Sequence, residues 1–159
     1  MVSLRQFENT DIEFLRQKFN MDSDSSYEMI AASKTGLYNG RPFKMYAITI
    51  DDRIVGSISL YEKSKSVASI GIEILPEKRR KGYATESFGL VLEEARERGY
   101  KVIQNQVRAD NDASIALHEK IGFETDGYVF KNRKDHAVLL YILCLQGRKT
   151  GTMDDGIKR

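Results

Sequence analysis

The stretch that decides the fold runs from Ile70 to Ala95 and reads IGIEILPEKRRKGYATESFGLVLEEA. It begins as an apolar strand and breaks at Pro76, which cannot donate to a sheet ladder. A cationic segment with one glycine follows, KRRKGYA over residues 78–84. Apolar residues then recur with the spacing of a helix face: Ala84, Phe88, Val91, Leu92 and Ala95. The sequence therefore predicts a strand, a basic glycine loop and an amphipathic helix, in that order.

This order of elements predicts an anion-binding site where the helix begins. The N–H groups of a first helical turn have no intrahelical partner, and the helix dipole favours negative charge there. Gly82 lets the backbone approach a ligand closely, and the small Ala84 does not block it. The loop matches neither the Walker motif G-x-x-x-x-G-K-[ST] nor the dinucleotide motif G-x-G-x-x-G. We therefore predict a pyrophosphate cradle, with a solvated basic turn as the alternative.

Composition predicts a single domain over residues 1–145, followed by a polar, flexible tail over residues 146–159. The 25 basic and 23 acidic residues of the 159 give a net charge of +2, so no global field points to nucleic acid or a membrane. The single cysteine, Cys144, lies in the longest apolar run, Ala137–Leu145, which is too short to span a membrane. We expect a buried, inert thiol and a cytoplasmic protein.

Periodicity along the rest of the chain predicts an α/β (α+β) fold. Asp51-Asp52-Arg53 joins two β-rich segments and is a hairpin signal, whereas residues 21–26 are interpreted as a polar break and Tyr38–Pro42 as a loop. Helices are predicted after Thr10 or Asp11, over Tyr27–Lys34 up to Gly36, from the cradle to Gly99, and over Asn111–Ile121. Strands are predicted over Ser3–Phe7, Met45–Ile50, Ile54–Tyr61, Val67–Leu75, Lys101–Arg108, Tyr128–Lys131 and Ala137–Leu145.

A second group of polar residues lies in the helix downstream of the cradle. Asn111 is either an N-cap or an amide that offers a donor and an acceptor to a ligand such as a pantetheine arm. Ser114 and His118 share one helix face at i, i+4 spacing. His118 is a candidate general acid because an unperturbed imidazole has a pKa near about 6.5. The alternative is a histidine packed on a half-buried helix face.

The cradle segment and the later polar helix follow each other in an order and at a separation that resemble the GNAT family of acetyl-CoA-dependent N-acetyltransferases. The resemblance covers about residues 45–145. The family's pyrophosphate motif, [Q/R]-x-x-G-x-[G/A], falls on Arg79, Gly82 and Ala84. Gly82–Ser87 resembles the RimJ/RimL-like branch, which acetylates ribosomal-protein N-termini and small amines. The family's later signature, N-x-x-[A/S] followed by Y-E-K-x-G-F, falls on Asn111, Ser114, Glu119, Lys120, Gly122 and Phe123.

The resemblance implies a mixed, mostly antiparallel sheet of about seven strands flanked by about four helices. Acetyl-CoA would lie in a V where the strand before the cradle splays from Lys101–Arg108, and an amine would attack the thioester directly in a ternary complex. It implies no metal, and it favours a homodimer. The residues implied for acetyl-CoA are the backbone of Ile72, Glu73 and Ile74, the cradle residues Arg79, Arg80, Lys81, Gly82, Tyr83, Ala84 and Thr85, and Asn111, Ser114 and His118.

The sequence departs from the family pattern at two catalytic positions. His118 stands where the family has a tyrosine acid, and Gln106 stands where the N-terminal acetylating enzymes have a glutamate base. Glu73 is the nearest carboxylate along the chain and becomes the candidate base, with water as the alternative. These departures keep open a second reading of the chain, a catalytically silent acetyl-CoA-binding sensor or scaffold.

The acceptor and the assembly are the least specified properties. The resemblance implies that the first two helices, the Tyr38–Pro42 loop and the final hairpin set the amine acceptor, either a protein N-terminus or a small molecule. Both faces of the last strand, Ala137–Leu145, are apolar. The N-terminal helices and the long helix would cover these faces in a monomer, whereas the resemblance favours a homodimer.

Overall fold

The computed structural model describes residues 1–145, and the flexible tail predicted over residues 146–159 lies outside these residues. The described part contains one mixed sheet of eight strands in the order β1-β3-β4-β5-β6-β8-β7, with β2 paired to β3. Every pairing is antiparallel except that of β5 with β6. The strands are β1 Ser3–Gln6, β2 Leu37–Tyr38, β3 Arg41–Ile50, β4 Arg53–Ser64, β5 Val67–Ile74, β6 Val102–Arg108, β7 Phe130–Lys131 and β8 Ala137–Cys144.

Four α-helices flank the sheet within the described residues, and this confirms the predicted fold class. The extra strand relative to the expected seven is the two-residue β2, which lies at the start of the segment predicted as a loop. Asp51 and Asp52 both adopt left-handed φ angles, 49° and 64°, as a two-residue hairpin turn requires. The helices are α1 Ile12–Phe19, α2 Ser23–Thr35, α3 Tyr83–Glu97 and α4 Asp112–Ile121.

Helix α2 begins four residues earlier than periodicity predicted. The Asp22 carboxylate accepts a hydrogen bond from the Ser25 N–H at 2.8 Å and so caps the helix. Residues 21–26, interpreted as a polar break, therefore form the cap and first turn, and Ser26 is fully buried. The polar composition that resembled a loop is the composition of an N-cap. The helix ends at Gly36 as predicted, with a φ of 84°.

Helix α3 covers one face of the sheet, and α1 and α2 cover part of the other. Phe88, Val91 and Ala95 of α3 are fully buried in a cluster with Ile58 and Ile70 of β4 and β5. The second cluster joins α1 and α2 to the opposite face of β3. Because β2 links α2 directly to β3, this layer lies over β3 and β4 and leaves the same face of β5, β6 and β8 without a helical layer in the described part.

Two predictions about the last strand are therefore wrong. The N-terminal helices cover β3 and do not cover β8, because an apolar helix face does not specify which strand it packs against. Cys144 is exposed instead of buried, since strand side chains alternate in direction and this one lies on the face without a helix. On the same face of β8, Ile142 is 37% exposed and Leu140 is half-buried.

Candidate active site

The parallel strands β5 and β6 separate shortly after they meet. Their ladder contains two pairs, Val67 with Val102 and Ala68 with Ile103. Both strands continue beyond these pairs, β5 to Ile74 and β6 to Arg108. The predicted V-shaped splay is therefore present, and it opens toward the loop that precedes α3.

An asparagine that sequence reasoning missed bridges the two arms where the ladder stops. The Asn105 side chain accepts a hydrogen bond from the Ile70 N–H and donates one to the Ile70 carbonyl, each at 3.0 Å. Its oxygen also accepts from the Ser69 hydroxyl at 3.0 Å. Asn105 is only 5% exposed and stands between buried Ile103 and Val107. An amide between two apolar positions of the same strand face, Ile103 and Val107, was the signal that could have identified it.

His118 lies behind this bridge and is 4% exposed. Its Nε2 is 3.0 Å from the Asn105 amide nitrogen, and its Nδ1 is 2.8 Å from the Ser114 carbonyl oxygen. The two hydrogen bonds to Ile70 fix the Asn105 nitrogen as a donor, and a carbonyl oxygen only accepts. Nε2 is therefore the acceptor, Nδ1 carries the proton, and the ring is neutral.

The surroundings of His118 oppose a second proton. Burial lowers the pKa of the imidazole from its ordinary value, although the hydrogen bond to the Ser114 carbonyl acts in the opposite direction. The ring is packed against the rings of Phe88, Phe123 and Tyr141, with a centroid separation of 4.8 Å to Phe123. This geometry favours the packed histidine over the general acid, and the catalytic role of His118 stays a prediction.

Alternation along β5 decides which backbone groups face the V. The N–H and C=O of Ile70 point across to β6, so those of Ile72 and Ile74 point the same way. Leu75 donates its N–H to Val55 on β4, so the intervening Glu73 directs its backbone toward β4 as well. The Ile74 carbonyl accepts from Arg79 Nε at 2.9 Å. Ile72 therefore presents backbone to the gap, whereas Glu73 can meet a ligand only through its exposed side chain.

The residues predicted to form the cradle lead into the start of α3. Gly82 is the N-cap with a φ of 84°, and Arg80 before it also has a left-handed φ of 65°. No side-chain hydrogen bond from the described residues caps the helix, so the N–H groups of residues 83–85 have no side-chain acceptor there. A Cβ built on Gly82 meets no atom within 4 Å, so the conformation requires the glycine and packing does not. Exposed Arg80 and Lys81 flank this turn.

The two candidate base positions lie on the sheet face opposite α3. Glu73 is exposed on β5, and Gln106 is exposed on β6. Ala68 and Ile103 form the last ladder pair, and Glu73 lies as many residues beyond Ala68 as Arg108 lies beyond Ile103. Glu73 and Arg108 are therefore at the same level on opposite arms of the V. Gln106 accepts a hydrogen bond from the Asn132 amide at 3.2 Å, which ties β6 to the loop between β7 and β8.

Asn111 and Ser114 lie at the start of α4. Asn111 accepts a hydrogen bond from the Ser114 N–H at 3.0 Å, so the N-cap interpretation is confirmed. The Ser114 hydroxyl is 3.4 Å from His118 Nδ1. Their roles in binding a cofactor stay predictions, as do those of the β5 and cradle residues.

The acetyltransferase (GNAT) domain family matches residues 2–124. The chain belongs to this family, which confirms the predicted class of enzyme. The SPbeta prophage-derived uncharacterized N-acetyltransferase YokL of Bacillus subtilis (strain 168) is 27% identical over 128 residues, which are 79% of this chain and 72% of YokL.

Two solved structures share the fold. The first is yncA of Salmonella typhimurium, named as an acetyltransferase and solved with its cofactor acetyl-CoA. It has a TM-score of 0.73 and 16% identity, and the match covers 96% of this chain and 98% of yncA. The second is the Salmonella typhimurium acetyltransferase that modifies the N-terminal serine of ribosomal protein L7/L12. It has a TM-score of 0.77 and 19% identity, with coverage of 91% and 95%. The predicted cosubstrate is thus the one that yncA binds, and the L7/L12 enzyme is consistent with the predicted branch.

Residues 1–145 contain no group of three or more His, Cys, Asp or Glu side chains arranged to hold a metal ion. Among the same residues, no helix has the length and apolar character needed to cross a membrane.

Proposed function

We propose that the protein transfers the acetyl group of acetyl-CoA to a primary amine by direct attack in a ternary complex. The observation that carries the proposal is the continuity between the splay and the cradle. Ile72 presents backbone to the gap, and the loop over residues 75–82 leads from the end of the same arm to the uncapped first turn of α3. A long, flexible ligand with a pyrophosphate at one end matches this path.

Each part of this path has its own task. The first-turn N–H groups and the cations Arg80 and Lys81 bind the pyrophosphate, which positions the ligand without taking part in the chemistry. The Ile72 backbone aligns the pantetheine arm between the strands. Acetyl-CoA supplies the thioester that is broken.

The reaction needs a proton acceptor and support for a developing oxyanion. The side chain of Glu73 is exposed on the sheet face opposite α3 and takes the proton of the attacking amine, directly or through water. The amine nitrogen forms a bond to the carbonyl carbon while a backbone N–H in the gap holds the oxyanion. The carbon–sulfur bond then breaks, and the sulfur leaves and takes up a proton as the thiol of coenzyme A.

A silent acetyl-CoA-binding sensor or scaffold is the second candidate, and one observation favours it. Gln106 stands at the position of the family's glutamate base, and its amide is held by Asn132. Thiol release measured with acetyl-CoA and a panel of amines separates the two candidates. The panel contains a peptide N-terminus, a polyamine, an amino sugar and an amino acid. Release with at least one amine supports the enzyme, whereas acetyl-CoA binding by calorimetry without any release supports the sensor.

We further propose a cytoplasmic homodimer. The exposed thiol of Cys144 suits a reducing compartment. The face of β8 with exposed Ile142 has no helical layer in the described part, and a strand apolar on both faces is normally covered on both. Light scattering that shows only monomer far above micromolar concentration would exclude the dimer.

A further inference from the structure

A basic groove lies beside the V on the sheet face without a helical layer. It has a volume of about 520 Å³ and is bounded by β6 and by the loop between β7 and β8. Arg108, Arg133 and Lys134 line it together with His136, and the described residues contribute no carboxylate to its lining. The cradle is on the other arm of the V, at the start of α3, so binding of a pyrophosphate there leaves this second group of cations unexplained.

The carboxylates that lie nearby are only loosely paired. Asp110 is 3.6 Å from Arg108 Nε, and Asp135 is 3.6 Å from the Nζ of Lys131, which does not line the groove. The side chains of both aspartates are at least 77% exposed. Exposed pairs of this kind have little net effect because water and salt screen them. The groove therefore keeps a positive potential.

The loop that carries two of the cations has a defined turn. The Asn132 side-chain oxygen accepts from the N–H groups of Lys134 and His136, each at 3.0 Å. Its amide nitrogen donates to Gln106 on β6. One side chain thus shapes the turn and fixes it to the arm of the V, which holds Arg133 and Lys134 on the groove side.

We propose that this groove binds an anionic group carried by the acceptor amine. The inference rests on the proposed function and narrows its substrate class to amines that also carry a carboxylate. Arg108 lies across the mouth of the V from the candidate base Glu73, so an amine near Glu73 brings its anionic substituent toward the groove. A polycationic amine would be repelled there. The anion belongs either to an acidic residue near a peptide N-terminus or to a small amino acid.

The first test measures binding and does not depend on turnover. Calorimetry with CoA-saturated protein compares the acetylated peptides acetyl-Ser-Glu-Glu-amide and acetyl-Ser-Gln-Gln-amide, and in a further arm N-acetylglutamate with N-acetylglutamine amide. We expect the anionic member of at least one pair to bind about tenfold more tightly, and the pair that shows the preference identifies the source of the anion. Equal binding within both pairs overturns the proposal.

Substitutions in the groove test whether its cations cause the preference for the anionic ligand. Arg133→Gln combined with Lys134→Gln should abolish it, whereas the charge-preserving Arg133→Lys with Lys134→Arg should retain it. Lys131→Gln, at the end of β7 beside this loop but outside the groove lining, is the matched control and should leave the preference unchanged. The proposal is overturned if the double Gln variant still binds the anionic ligand more tightly than the neutral one. A loss of CoA affinity in that variant also overturns it, since the groove would then bind the cosubstrate's own phosphate.

The second test measures turnover with the corresponding free amines and with spermidine. We expect the anionic amines to have the highest kcat/KM, and the double Gln variant to raise KM for them with little change in kcat. Turnover that favours spermidine or the neutral amines contradicts the proposal and leaves the acetyltransferase function standing. Binding of the anionic peptides without turnover of any amine contradicts the proposed function and leaves the groove assignment standing.

Discussion

The neutral state of His118 predicts a specific pH dependence of stability. A second proton on the ring would place an Nε2–H against the Asn105 amide, which is itself a donor, inside a site that is 4% exposed. Burial lowers the pKa of His118 in the folded protein below its ordinary value of 6.5. The unfolded chain therefore binds more protons than the folded one below this pH. The contribution of His118 to the free energy of unfolding is therefore largest above about pH 6.5 and falls as the pH decreases below it.

The size of the effect follows from linkage to one proton. A single site contributes at most about 1.4 kcal/mol per pH unit, so the loss between pH 6.5 and 5.5 is at most about 1 kcal/mol. Urea unfolding at pH 7.5, 6.5 and 5.5 measures it in the parent and in His118→Phe, which keeps a ring in the cluster. The variant should be about 1–3 kcal/mol less stable at pH 7.5, because the Asn105 amide loses its acceptor. Its stability should change less with pH than that of the parent.

The other histidine of the chain supplies the control. His136 is half-buried in the loop between β7 and β8, and His136→Gln should keep the pH dependence of the parent. The reasoning is refuted if His118→Phe keeps the full dependence or if His136→Gln abolishes it. The same variants test catalysis. A kcat reduced about 10²-fold or more in His118→Phe, with unchanged CoA affinity, would support the general acid instead of the packed ring.

Three further predictions concern the V and the cradle. Gly82→Val should weaken CoA binding at least about tenfold in calorimetry, because a φ of 84° costs a β-branched residue about 1–2 kcal/mol and its side chain stands beside the first-turn N–H groups. Gly89→Ala lies in the same helix with open space around it, so this control should bind CoA as the parent does. Equal CoA affinity of the two variants would contradict pyrophosphate binding at the cradle. Glu73→Gln should lower kcat/KM about 10²–10⁴-fold at unchanged CoA affinity, and an unchanged rate would identify water as the base. Asn105→Leu should lower the free energy of unfolding by about 2–5 kcal/mol in urea, because both backbone groups of Ile70 lose their partner, and a loss below about 1 kcal/mol would mean that water replaces the bridge.

The sequence by itself determined the segments whose chemistry is local. The strand, glycine loop and helix over residues 70–95 were predictable because Pro76, Gly82 and the helical period act on neighbouring residues. The same is true of the Asp51-Asp52 turn and of the Asn111 cap. The family also followed from these segments, since its two motifs are themselves local patterns.

Only the tertiary structure decided the features that depend on pairing between distant segments. Asn105 became a bridge because β5 and β6 separate after two pairs, and His118 became a neutral, packed ring because Asn105 presents a donor to it. Cys144 is exposed because α1 and α2 cover β3 and leave its face of β8 without a helix. The basic groove exists because Asn132 fixes a hairpin loop to β6. Hydrophobic periodicity specifies that a face is to be buried, but the partner of that face, and the proton that a buried side chain carries, depend on contacts between residues far apart in the chain.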